Sequence, residues 1–335
     1  MNEPTMINEP PAVSKPEQSS SGILDEFQTE LVTCWPQLPN KAFFFGLLAA
    51  WLALFQFLGN SVFGYIATPS LYVWMVTAYN GNREVTDDVI GNFIPFLVLG
   101  LFWWKRKQLL ALPLRVWSPA LALVAFGVAL HVFGYVAQQP RISIVALFVG
   151  IYGLMGLAWG WRFLRAGFFP FFLFIFSMPL GNQAEIITVR LQLLVTWLVE
   201  KISHGLGIGV VRAGNLLFDP SGSYQYEVAA PCSGIRSLIV IFLLATAYGF
   251  IVFRSPWKRM AMMAMAPVLA VLGNLVRMLL IVMAASFGGQ SWGNYVHDGG
   301  PGGIISLLPY ILAMIILFTA GGWLEKKFVE AKPKP

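Results

Sequence analysis

Eight apolar runs, at about 42–66, 89–104, 118–136, 142–160, 167–180, 235–253, 260–286 and 304–324, limit what this 335-residue chain can fold into more than any other feature. About 20 apolar residues in helical form cross ~30 Å of hydrocarbon. In lipid a backbone must satisfy its own hydrogen bonds, which leaves only helices and closed barrels. The runs at 89–104 and 167–180 are short for a full crossing. Hydrophobic residues make up 57% of the chain and charged residues 11%, with mean hydropathy +0.68, outside the range of soluble domains. The expectation is an all-α polytopic membrane protein of about eight transmembrane helices.

Lys and Arg near span ends resist translocation, so their placement gives orientation. Lys105, Arg106, Lys107 and Arg115 follow the second run; Arg162 and Arg165 follow the fourth; Arg254, Lys258 and Arg259 follow the sixth; Lys326 and Lys327 follow the eighth. All four clusters share one side if both termini are cytoplasmic. Only Arg83 and Arg141 stand against them, each alone in its loop. This places 60–88, 137–141, 181–234 and 287–303 outside the cytoplasmic membrane, which for a bacterial chain is the inner membrane.

Residues 1–40, rich in Pro, Ser and Glu, read as a partly disordered cytoplasmic tail. Residues 41–325 read as the transmembrane domain and 326–335 as a basic cytoplasmic tail. In the long outer segment, 183–203 carries Glu185, Arg190, Glu200 and Lys201 among apolar residues, so it reads as an extracytoplasmic interfacial helix. After it, Asp219-Pro220-Ser221-Gly222 separates two apolar runs, a short hairpin that delivers the chain to Cys232.

The net charge of +6 sits in short clusters beside the spans, not in a basic stripe with interleaved aromatics, so no nucleic-acid partner is expected. Two cysteines, Cys34 and Cys232, give neither a disulfide framework nor a Cys-rich metal site. The topology puts them on opposite faces. No phosphate-cradling loop and no HExxH occurs, and neither cofactor nor metal is expected.

Cys232 lies in Pro231-Cys232-Ser233-Gly234-Ile235-Arg236-Ser237, where a polar segment meets an apolar run. A thiol there is reachable by water and by a substrate lying in lipid; the plain alternative is a small buried hydrophobe. In the seventh run Asn274 and Arg277 are three apart, hence on one helix face. Arg277 is 17 residues beyond Met260, about 25 Å along a helix, and so at the outer boundary. Intramembrane arginines line interiors or wet cavities, or snorkel to headgroups. His297 follows in the outer segment Gly293-Asn294-Tyr295-Val296-His297-Asp298-Gly299, as a partner for the same helix end or as solvated surface. Arg236, four residues after Cys232, binds a substrate carboxylate or anchors its helix. His131 and His204 read as packed or interfacial residues.

PCSGIRS, the NLVR of the next span and a His in the following outer loop, in that order, resemble the exosortase/archaeosortase family of integral-membrane cysteine transpeptidases. The Phe-rich 168–180 segment ending in Met178-Pro179-Leu180 is similar to that family's fifth span. The resemblance covers roughly 40–325. It implies Cys232 as nucleophile, Arg277 as the site arginine and His297 as acid/base partner. Ser233, Arg236, Asn274 and Asp298 are expected in substrate-binding or supporting places.

The chemistry agrees with the residue types. A thiol must become thiolate to attack an amide, and a nearby cation favours that anion; arginine does this at any physiological pH or donates to an oxyanion; histidine gives a proton to the leaving amine and takes one from the acceptor. For partners, the resemblance implies secreted proteins with a carboxy-terminal sorting signal, a PEP-CTERM-like motif plus a span plus a basic tail. Membrane lipid and an envelope or polysaccharide acceptor complete the set. Two other readings remain at this level: a transporter or assembly component of surface-polysaccharide export, and an acyltransferase using a lipid thioester.

Overall fold

The computed structural model describes residues 23–63, 66–81, 88–180, 185–228, 235–300 and 304–327. Helix accounts for 77% of the structure, in twelve α-helices and three short 3-10 segments among the described residues, with one small sheet. In order they are α1 (Ile23–Cys34), α2 (Lys41–Phe57), α3 (Leu71–Asn80), α4 (Ile94–Trp104), α5 (Arg106–Leu110), α6 (Leu121–Val136), α7 (Pro140–Trp159), α8 (Trp161–Phe172), α9 (Glu185–Gly205), α10 (Ile235–Val252), α11 (Pro256–His297) and α12 (Ile304–Lys327). The strands β1 (Val211–Ala213), β2 (Leu216–Phe218) and β3 (Gln225–Glu227) form an antiparallel meander between α9 and α10.

Three stretches among the described residues are long and apolar enough to cross a membrane: Ser118–Val136, Pro140–Trp159 and Pro256–His297. Shorter apolar helices at Lys41–Phe57, Ile94–Trp104 and Leu238–Val252 accompany them. Of the 118–136 window only 22% is buried, against 61% of its neighbour at 140–159. Phe126, Val132, Phe133 and Val136 of α6 face outward. So large a bare apolar face is stable against lipid and not against water. The molecule is a membrane protein.

The amino-terminal half packs around α7. Trp51 of α2 lies where a side chain on Gly150 would be, and its indole Nε1–H donates to the Leu147 carbonyl at 3.0 Å. Gly127 of α6 lets that helix approach the Gly150 backbone, the small-residue contact that brings helices together in lipid, where apolar burial gives no drive. Phe55, Trp74, Tyr79, Leu154 and Trp159 complete this core. In the carboxy-terminal half Ile241, Met262, Leu269 and Leu317 join α10, α11 and α12. Ile94, Val98, Phe169, Leu173 and Leu243 join the halves.

The structure departs from the sequence reading at several places. Residues 60–88, read as an outer loop, include α3, a helix too short to register as a span. Arg162 and Arg165 lie within α8 and not in a loop, because α7 ends at Trp159 and the chain turns at Gly160 (φ 91°) straight into the next helix. The 167–180 run is not one helix: Pro170 lies inside α8 and a 3-10 segment follows at Leu173–Ser177. Within the amino-terminal segment read as a tail, the described residues form α1, which Glu30 ties to Arg106 and Lys107. Arg141, one of two outliers in the charge pattern, donates from Nε to the Pro179 carbonyl (2.7 Å) and from Nη2 to that of Leu180 (3.0 Å). Its position is fixed by backbone capping. The predicted interfacial helix corresponds to α9, and the predicted hairpin to β2 and β3 with β1 added.

Candidate active site

Asn274 and Arg277 project from one face of α11, and Asn274 is buried. Twenty residues later comes His297. A straight helix would separate the two by about 30 Å, yet Arg277 Nη2–H donates to the His297 carbonyl at 3.3 Å. The reversal happens at Gly289, whose φ 67° and ψ −170° are non-helical and split α11 into arms 256–288 and 290–297. That region of backbone space is essentially restricted to glycine. Gly293 completes the device: a side chain there would run into Tyr226 Oη and Ala285 Cβ, so its absence lets the short arm fold flat against the long one. His297 therefore ends a returning helix and does not lie in a loop, as the sequence suggested. The period of residues 287–297 is helical, but two adjacent glycines mask it.

A cap of α9 and the sheet covers this helical hairpin. Val195, Val199, Val210, Leu217, Tyr226 and Val228 pack with Leu275, Met278, Ile281 and Val282. Polar contacts then fix the register. Gln290 Oε1 accepts from the Gln225 N–H at 2.8 Å while its Nε2–H donates to the Gln225 carbonyl (3.3 Å) and to Asn294 Oδ1 (3.0 Å). The Tyr226 hydroxyl reaches the Gln290 carbonyl at 3.1 Å and Asn294 Oδ1 at 3.2 Å. Burial, and then the Asp298 carboxylate, push that phenol up, so it remains a donor. Its ring lies 6.5 Å from the His297 ring, nearly parallel at 23°. On the far side Glu200 of α9 accepts from the Arg212 N–H at 3.2 Å, and His204 Nε2 meets the Val210 carbonyl at 2.6 Å. His204 thus holds the cap together, and His131 packs against Phe55 and Ser143 inside the bundle.

His297 Nδ1 stands 3.1 Å from Asp298 Oδ1. With Nδ1–H donating to that carboxylate, the neutral ring carries its acceptor at Nε2. The imidazole is 41% exposed, open to a substrate and to water. The Arg277 Nε–H is buried and has no hydrogen-bond partner among the described residues. A guanidinium carries five donors in a rigid fork, so this is a site still able to bind an anion or a carbonyl oxygen.

Cys232 and Ser233 lie outside the described residues. Arg236 is the second residue of α10, and its side chain also lies outside them. Along the sequence Cys232 follows Val228 by four positions. Val228 donates its N–H to the Asn215 carbonyl as the last rung of the sheet and is fully buried in the cluster containing Leu275 and Met278, two residues before and one after Arg277. Gln290, Tyr226, Asn294 and Gly289 escape sequence reasoning, because none belongs to a motif and their contacts join segments some 65 residues apart.

An apolar helical bundle with an arginine and a histidine brought together at one end, under a small capping sheet, defines a polytopic membrane protein with a polar site at its surface boundary. Comparison with known families matches residues 84–319 to the family described as transmembrane exosortase (Exosortase_EpsH). The chain belongs to that family. No curated protein and no solved structure matches it.

Proposed function

We propose that this exosortase is a membrane-embedded cysteine transpeptidase in which Cys232 is the nucleophile, Arg277 the anion-stabilising group and His297 the acid/base. The observation that carries this reading is the 3.3 Å bond from Arg277 to the His297 carbonyl, made possible by the Gly289 reversal that folds the short arm of α11 back on the long one. Val228, four residues from the thiol, is held in the same cluster as the neighbours of Arg277.

The reaction is acyl transfer. The Cys232 thiolate adds to the scissile carbonyl, and the tetrahedral oxyanion is stabilised by the Arg277 guanidinium. His297 Nε2, protonated, gives its proton to the departing amine, and the C–N bond breaks to leave a thioester. The acceptor nucleophile then loses its proton to the now neutral imidazole, attacks the thioester and expels the Cys232 thiolate, restoring the starting thiolate and imidazolium. Asp298 holds the imidazole in the orientation that exposes Nε2, and Asn274 supports Arg277 from the same helix face. Ser233 and Arg236 flank the thiol as substrate-binding groups, with Arg236 suited to an acidic residue of the substrate's motif.

The substrate class is a secreted protein ending in a short PEP-CTERM-like motif, an apolar span and a basic tail, processed at the extracytoplasmic face of a bacterial inner membrane with both enzyme termini cytoplasmic. The acceptor belongs to the envelope or its polysaccharide. Coexpression with such a tailed protein, followed by intact mass, tests the reading. Wild type removes the tail, whereas Cys232→Ala and His297→Ala abolish removal while still accumulating in the membrane. Tail removal unchanged in Cys232→Ala would refute it.

A further inference from the structure

At the opposite end of the bundle four cations converge on one cavity. Lys105 at the end of α4, Arg162 and Arg165 of α8 and Arg259 of α11 line a space of about 530 Å³, together with Gln108, Phe168, Phe169 and Phe250. Arg259 and Arg277 are 18 residues apart on the long arm of α11, about 27 Å, so this cavity and the candidate active site lie at opposite membrane boundaries. No carboxylate lines the cavity, and none pairs with these four side chains among the described residues. Their contacts among the described residues bring no negative charge: Lys105 Nζ donates to the Ala166 carbonyl at 2.7 Å, and Arg259 Nε–H to that of Phe253 at 2.8 Å, with its guanidinium over the Phe250 ring at 4.6 Å. Burial, and then the Arg259 charge, push the Lys105 ammonium down.

Like charges held this close repel unless an anion joins them. The cavity also has an apolar continuation. Phe168 lines it and lines a second groove of about 400 Å³ made by Leu123, Val145, Phe148, Phe172 and Ile175, almost wholly apolar. A basic cup opening onto an apolar trough fits a phosphate joined to acyl chains better than a free phosphate.

We propose that this cavity binds the phosphodiester headgroup of an anionic phospholipid, with one acyl chain laid in the Phe168–Phe148 groove. The bound lipid clamps α4, α8, α10 and α11, and so the two halves of the bundle, at the face away from the active site. This does not depend on the chemistry assigned to Cys232.

Native mass spectrometry of the detergent-purified full chain, with equal amounts of phosphatidylglycerol and phosphatidylcholine, tests it. Wild type retains phosphatidylglycerol over phosphatidylcholine by roughly tenfold. The Arg162→Gln/Arg165→Gln double variant and, separately, Arg259→Gln lose that preference; Arg162 and Arg165 are exposed, so their removal leaves the packing intact. Arg254→Gln, an exposed cation outside the cavity, keeps it. Glycerol phosphate, which lacks the chains, fails to displace the lipid. Equal retention of the two lipids overturns the proposal, as does a preference that survives both cavity variants or falls equally in Arg254→Gln. Displacement by glycerol phosphate at matched concentration also overturns it, by showing a soluble phosphate to be the ligand.

Discussion

Arg277 owes its value to the shape of its side chain as much as to its charge. One N–H is committed to the His297 carbonyl, and another, on Nε, is buried with no bond among the described residues. Lysine in its place keeps the charge and loses the second donor and the fixed fork. We expect Arg277→Lys and Arg277→Ala both to fold and both to slow tail removal, the latter by about 10²–10³-fold as for loss of an oxyanion donor; equal rates for wild type and Arg277→Ala by mass-resolved time course would remove the arginine from the mechanism. At the hairpin turn a second residue gives a pH signature. Asp219 accepts from the hydroxyls of Ser221 and Ser223, which hold its carboxyl below its ordinary 3.8. A lowered folded value means the carboxylate supports the turn above about 4 and ceases to do so as pH falls through the folded value. The protection of the Ser223 amide, measured against its intrinsic exchange rate, should therefore fall in acid, and Asp219→Asn should remove that acid dependence.

Among the elements, α11 decides whether a site exists. Its long arm is specified locally, by Pro256 at the first turn and a long apolar run. Its reversal depends on one residue. Alanine at Gly289 must adopt φ near 67° with an extended ψ, at a cost of about 1–3 kcal/mol, and the cheaper outcome is a straightened helix that carries His297 away from Arg277. Gly289→Ala should lower the melting temperature by a few degrees and cut tail removal far more than that loss explains; activity falling only in proportion to the folded fraction would show the reversal to be incidental. The cap holds the same reversal from outside, through the Gln290 clamp on β3 and the Tyr226 hydroxyl. This explains why a three-stranded sheet, too small to be stable alone, is built into a helical protein.

Across the whole molecule, the halves are packed by different means. The amino-terminal half relies on close approach at glycines, with the Trp51 ring seated over Gly150 at under 3 Å from any added Cβ. Gly150→Leu must displace a buried ring that also donates to the Leu147 carbonyl, and overpacking of this kind costs about 1–3 kcal/mol. A melting temperature unchanged in Gly150→Leu would mean that α2 does not dock there. The carboxy-terminal half and its cap carry all the candidate chemistry, so the same variant should leave the rate per folded molecule unaltered.

The helical class, the membrane setting and the grouping of basic residues were legible from the sequence because each depends on local composition: a span is set by its own length and apolarity. Three of the four basic clusters read as sharing one side do in fact meet around one cavity. The sequence also nominated Cys232, the Asn274–Arg277 pair and a histidine beyond the span; of these the structure brings Arg277 and His297 together. What sequence left open was how residues far apart along the chain would meet. The two-arm form of α11, the change of the fifth apolar run from α8 to a 3-10 segment at Leu173 and the polar clamp between Gln225 and Gln290 were decided by tertiary packing. Such contacts join surfaces whose complementarity exists only once both segments are folded, and no local pattern in either segment encodes its partner.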